Sequence, residues 1–196
     1  MTTSVPREGQ PGYLVFCHGT GVVAGMIRLA EWIRWRKGCR WNHVAVLADP
    51  VMIRNAHRKT YVADWTLIQA TGKGVVEQGQ LCHMDNYEIV PLPEGVDGAK
   101  VIEFARAQVG KKYGFLTILS IVVTLGSPKF VNVMLPNTWI CSAVAAESLR
   151  YGGWLHNWGD LYQVSPAELY DALYATSPSI PNPLTASRPL DGSSLV

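Results

Sequence analysis

The first dense apolar run is Tyr13 to Cys17, YLVFC, too short for a helix and too apolar for a loop, so it reads as a strand. Met26, Leu29, Ala30 and Ile33 then recur at helical spacing and predict an amphipathic helix over 25–37. His43 to Leu47, HVAVL, and Trp65 to Ala70, WTLIQA, are two further strand candidates, and Gly74 to Glu77 and Tyr87 to Pro91 add more. Val101, Ile102, Ala105 and Val109 mark a helix ending near Gly110. A long helix is expected from about Trp139 to Tyr151, with Asn137 or Thr138 as its cap and Gly152 and Gly153 as its stop. Ser165 and Pro166 have the residue types that open a helix, here running through Leu173. Strands grouped in the middle, with helices before and after, imply an α+β fold with a small antiparallel sheet.

The flanks lack this periodicity. Residues 1–11 read as a flexible arm, 12–174 as one domain, and 175–196 as a Ser/Pro-rich tail that cannot bury enough surface to order itself alone. Phe115 to Leu125, FLTILSIVVTL, is the most apolar stretch, yet it falls short of the roughly 18 residues of a membrane span. It fits a buried helix, or a surface that meets lipid or a partner.

Composition narrows the function classes. A chain of 196 residues with 48% hydrophobic and 16% charged residues is globular, and a net charge of +2 gives no electrostatic case for nucleic acid. MTTSVPREGQPG has no apolar core and does not read as a signal peptide, so the expectation is a cytoplasmic chain with free thiols, unless lysis or a virion delivers it elsewhere. None of the four cysteines lies in a C-x-x-C pair, and no ligand cluster has zinc or calcium spacing, so neither metal nor cofactor is expected. Arg28, Arg34, Arg36, Lys37 and Arg40 interleave with Trp32, Trp35 and Trp41. That helix could touch lipid headgroups or a protein assembly, or be a solvated basic face with its Trp residues in the core.

Cys141, in PNTWICSAVAAESL, falls in the first turn of a predicted helix. The helix dipole and free N–H groups there favour the thiolate, the nucleophilic form, and could hold an oxyanion. A small core residue would look the same in sequence. His43 opens an apolar strand, where a half-buried imidazole could take the thiol proton or simply bond to backbone. Cys17-His18 and Cys82-His83 are poor local dyads, because adjacent strand residues face opposite ways. Gly19-Thr20-Gly21 lacks the spacing of a phosphate loop and reads as a turn.

The ordered segments GYLVFCHG, WNHVAVL, WTLIQATGKGV, VGKKYGF and ICSAVAAESLRYGG resemble the circularly permuted, NlpC-like papain fold. That group includes the YiiX-like and lecithin:retinol acyltransferase-like proteins. The resemblance runs from about Gly12 to Leu173. In that group the His strand comes first and the Cys helix late, as here. The resemblance implies Cys141 as nucleophile, His43 as base and Gln69 as the polar third residue that orients the imidazole, with Asp64 a weaker substitute. Many relatives carry a carboxylate or His in that place, and a neutral Gln supplies orientation without charge. Tyr113, His18 and Trp139 are expected to line the substrate cleft.

The implied activity is a cysteine-dependent amidase or peptidase acting through a thioester, on peptide, cell-wall peptide or an acyl-lipid. Two alternatives remain at this level. One is a lipid-directed acyltransferase or thioesterase, and the other is a catalytically weak binding module on the same fold.

Overall fold

The computed structural model of the chain describes residues 9–19, 24–25, 27–29, 32, 41–55, 60–78, 86–114, 138–158, 161 and 164–176. Most of the N-terminal arm, Trp35, Cys39, Cys82, His83, the run Phe115 to Leu125 and the tail from residue 177 lie outside the described residues. The architecture is mixed α+β, built on a five-stranded, wholly antiparallel sheet.

The strands are β1 (Leu14–Cys17), β2 (His43–Asn55), β3 (Thr60–Thr71), β4 (Gly74–Glu77) and β5 (Tyr87–Val90), in spatial order β4-β3-β2-β1-β5. Every residue of LVFC in β1 is buried, since this short strand is flanked by neighbours and covered on both faces. One face carries Leu14, Phe16, Val44, Val46, Ile68 and Ala70 into the main core beneath the helices. The alternate residues Val15, Ala45, Leu47 and Leu67 form a second apolar cluster, with Tyr13, Trp65, Tyr87 and Ile89 packed around it.

β2 and β3 are longer than their apolar runs. The strand expected from the apolar run HVAVL stops at Leu47. Instead β2 continues to Asn55 through a shift of register between Leu47 and Pro50. Such an irregularity can seat proline, which has no N–H for the ladder. Thr66 serves the irregular stretch with its side chain: its hydroxyl accepts from Asp49 N–H at 3.1 Å and donates to the Asp49 carbonyl at 3.3 Å. Arg106 then bridges Asp49 and Glu77 across the same edge. At 40% side-chain exposure that network contributes about 1 kcal/mol, less than one buried core leucine.

β4 is an edge strand, and the chain near 110–111 covers it: Val75 N–H donates to the Lys111 carbonyl and Gly110 N–H to the Val75 carbonyl, both at 2.9 Å. Gly74 permits this approach. Its φ is +110°, and a Cβ there would lie 2.5 Å from the Lys111 carbonyl oxygen.

Three helices have defined bounds: α1 (Gly98–Ala107), α2 (Cys141–Tyr151) and α3 (Pro166–Thr176). Ala24, Gly25, Ile27, Arg28, Leu29 and Trp32 are also helical, within the stretch expected from their spacing apart from Ala24, one residue earlier. In α1, Asp97 accepts from Ala99 and Lys100 N–H, and Val101, Ile102 and Ala105 face the core. α2 is buried from Cys141 to Leu149. Its alanines at 143, 145 and 146 let it lie close to β2 and β3 on one side and α1 and α3 on the other.

The start of α2 departs from expectation. Thr138 and Trp139 form a two-residue strand, β7, paired in parallel with β6 (Lys112–Tyr113). The cap is therefore Ile140, in extended conformation and with no side-chain cap bond, rather than Asn137 or Thr138. Pairing with β6 holds Thr138 and Trp139 extended, so the helix cannot begin before Cys141.

α3 starts with a reciprocal capping box. Ser165 Oγ accepts from Glu168 N–H at 3.1 Å, and a Glu168 carboxylate oxygen accepts from Ser165 N–H at 2.8 Å. The helix runs to Thr176, past the expected end at Leu173 and into the first residues assigned to the tail. Tyr170 and Tyr174 both donate to Glu88 Oε1 on β5, which ties the last turn down. Ser165→Ala is expected to lower stability by about 1 kcal/mol, read as a lower denaturation midpoint at unchanged slope. An unchanged midpoint would show that the cap carries no weight.

Candidate active site

Cys141 is the first residue of α2, and the N–H groups of this uncapped first turn have no side chain competing for them. Ser142 N–H donates to the Cys141 sulfur. A second donor comes from the sheet. Leu47 N–H donates to the Tyr13 carbonyl at 2.8 Å, on the β1 side of β2. N–H directions alternate along a strand, so those of Val46 and Val44 point towards β3. The β2–β3 ladder, however, ends at the pair Val46–Ile68. Val44 N–H therefore lies beyond the last rung, and it donates to the Cys141 sulfur instead. The thiol sits in the fork where the two strands part.

His43 and Gln69 flank this fork. His43 opens β2, half-buried, and its Nε2 lies 2.8 Å from Gln69 Oε1 on β3. An amide oxygen only accepts, so Nε2 carries the hydrogen and Nδ1 is left for Cys141, with which His43 is also hydrogen-bonded. Gln69 is itself steadied by a long contact, 3.5 Å, from its Nε2 to the Gln78 carbonyl. Cys141, His43 and Gln69 come from three separate elements and form one connected chain.

Electrostatics follows from this geometry. Burial pushes the Cys141 thiol up, but the His43 charge, the His43 hydrogen bond and the N–H groups of Val44 and Ser142 together hold it below the ordinary thiol range. Burial alone would lower His43. The Cys141 charge and the hydrogen bonds to Cys141 and Gln69 raise it above the ordinary imidazole range instead. The pair is therefore biased towards thiolate and imidazolium.

The remaining expected residues fall in different places. Tyr113, on β6, is half-buried, and burial and the Cys141 charge both push its hydroxyl up. Trp139 is only 8% exposed, its ring edge-on to Phe104 at 6.0 Å and beneath Lys111 Nζ at 5.7 Å. It packs in the core two residues before Cys141. His18 is exposed, with its ring 5.5 Å from that of Trp41. Asp64 is buried on β3 but accepts from Trp65 N–H at 2.8 Å, and it pairs in register with Val51, well along the strand from Gln69.

Three further groups beside Cys141 and His43 are not assigned to the site by the sequence. One is the Val44 N–H. Another is Cys17, buried at the end of β1 as the cross-strand partner of His43, its thiol pushed up to about 12 by burial and by Cys141. The third is Asn42, only 1% exposed. A hydrophilic residue before an apolar strand reads as a turn until its partners are known. Among the described residues no group of three His, Cys, Asp or Glu side chains could hold a metal ion, and no helix is long and apolar enough to cross a membrane.

No protein-family model matches the chain, and no curated protein matches it in sequence.

Proposed function

We propose that the protein is a cysteine-dependent hydrolase of amidase or peptidase type, on a circularly permuted papain-like fold, working through a thioester on Cys141. The observation that carries this reading is the chain Cys141–His43–Gln69, with the sulfur at an uncapped helix N-terminus and the imidazole held at Nε2 by 2.8 Å. A Cys and His that served only as core would gain nothing from interactions that draw the thiol below and the imidazole above their ordinary ranges against the cost of burial.

In this mechanism the Cys141 thiolate attacks the carbonyl carbon of an amide or ester, and the carbonyl π electrons move to oxygen. Main-chain N–H groups at the uncapped start of α2 would stabilise that oxyanion, with the Tyr113 hydroxyl as a further donor. As the tetrahedral centre collapses, His43 Nδ1–H gives its proton to the departing nitrogen or oxygen, leaving an acyl thioester. Neutral His43 next takes a proton from water, whose oxygen attacks the thioester and expels the thiolate. Gln69 holds one ring orientation through both steps without adding charge.

A panel of chromogenic esters and peptide amides, with intact-mass trapping of the acyl-enzyme, tests the reading. Turnover with an acyl adduct on Cys141 is expected. Turnover with no Cys141 adduct, surviving in Cys141→Ala, would refute it. Gln69→Ala should leave measurable turnover, reduced about ten- to a hundred-fold, because it removes orientation and not the nucleophile or base. Complete loss in a folded Gln69→Ala protein would show that the amide does more than orient.

A further inference from the structure

We infer that Asn42 is a positioning residue that clamps the chain at Gly19 onto His43 and so holds the imidazole on Cys141; this rests on the Cys141–His43 reading above. The β1–β2 ladder ends at the pair Cys17–His43. Asn42 extends it with its side chain. Its Oδ1 accepts from Gly19 N–H at 2.6 Å, and its Nδ2 donates to the Gly19 carbonyl at 3.3 Å and to the Ala24 carbonyl at 3.5 Å. The amide thus meets both main-chain groups of Gly19 as another peptide would, in a site where Asn42 is buried and water does not compete.

The clamp acts at the start of β2, where His43 follows Asn42 and stands beside Gly19. A Cβ placed on Gly19 would lie 3.4 Å from His43 Cβ and 3.5 Å from Ala24 Cβ, so the Gly19 main chain faces the root of the His43 side chain across about the width of a methyl group. Gln69 holds the far end of the ring at Nε2. Asn42 is the residue before His43, so tying its side chain to Gly19 and Ala24 fixes the main chain from which the ring departs. Asn42 touches neither the sulfur nor a reacting atom by this route, which makes its contribution one of geometry.

Asn42 is also neutral. Among the described titratable groups, His43 on β2 acts on Cys141, while Cys17 on β1 and Tyr113 on β6 feel the Cys141 charge. Removing the Asn42 amide alters no charge, so a displaced reactivity profile would report lost alignment of His43.

The test is the rate of Cys141 alkylation by iodoacetamide as a function of pH, in the full chain, with folding checked by thermal melting. In Asn42→Ala the rate near pH 6 should fall about ten-fold, while the rate near pH 9, where an unassisted thiol ionises, should stay within about two-fold of wild type. Asn42→Ser, which cannot span both Gly19 groups, should behave alike and serves if the alanine variant does not fold. A profile superimposable on wild type overturns the role. So does an equal loss at both pH values with a lowered melting temperature, which is what plain destabilisation produces. A wild-type profile already that of a free thiol would overturn the dyad and this role together. A normal wild-type profile with an unmoved variant overturns this role alone.

Discussion

Serine in place of Cys141 should lower turnover of any ester or amide substrate by on the order of 10⁴-fold or more, although only sulfur is exchanged for oxygen. The site is arranged around an anion: burial opposes it, and His43, Ser142 N–H and Val44 N–H together outweigh burial. A serine hydroxyl in the same fork stays protonated, so attack would need full proton removal by His43 within the transition state. The serine variant should also be inert to limiting iodoacetamide at the residue that is alkylated first in wild type. Cys17, with its thiol pushed up to about 12, should not take its place. Residual turnover within about ten-fold of wild type, or first alkylation at Cys17, would remove Cys141 from the mechanism.

His43→Ala should have the second largest effect, and its pH dependence carries the diagnosis. His43 supplies both the leading charge interaction and a hydrogen bond that hold the Cys141 thiol down, and without it burial is left to push the thiol up. The direction follows from the raised imidazole and lowered thiol: the reactive thiolate is present above the lowered thiol pKa in wild type, but only above the ordinary thiol range or higher in the variant. Near pH 6.5 an ordinary thiol is about 1% ionised, so the alkylation rate should fall about a hundred-fold and recover as pH rises towards 9. Turnover should fall further, because the proton donor to the leaving group is also lost. Alkylation profiles measured on the two proteins decide the matter. Coincident curves would mean that His43 does not act on the thiol.

Much of the sheet could be read from the chain because its physics is local. LVFC is apolar at every position because β1 has neighbours on both sides and cover on both faces. HVAVL and WTLIQA mark buried stretches of β2 and β3, and the Ser165–Glu168 capping box needs only four consecutive residues. The ends were harder. β2 runs past Pro50 because Thr66, seventeen residues away from Asp49, serves the irregular stretch with its hydroxyl. α2 starts at Cys141 because Thr138 and Trp139 pair with Lys112 and Tyr113, a two-residue ladder too short to leave a period.

The same division holds at the site. Position in the sequence makes Cys141 and His43 candidates, a thiol opening a helix and an imidazole opening a strand, while Gln69 is implied only by the resemblance to the permuted papain-like group. Where the β2–β3 ladder stops is a property of two strands and not of either sequence, yet it decides that Val44 N–H is free for the sulfur. The packing of Trp139 on Phe104 and the grip of Asn42 on Gly19 are likewise decided by what stands opposite once the chain is folded. Local sequence determines which groups can carry charge and which segments extend or coil. Only the tertiary structure determines which buried donors and acceptors face one another, because hydrogen bonds act over about 3 Å while their partners here lie up to 98 residues apart, as His43 and Cys141 do.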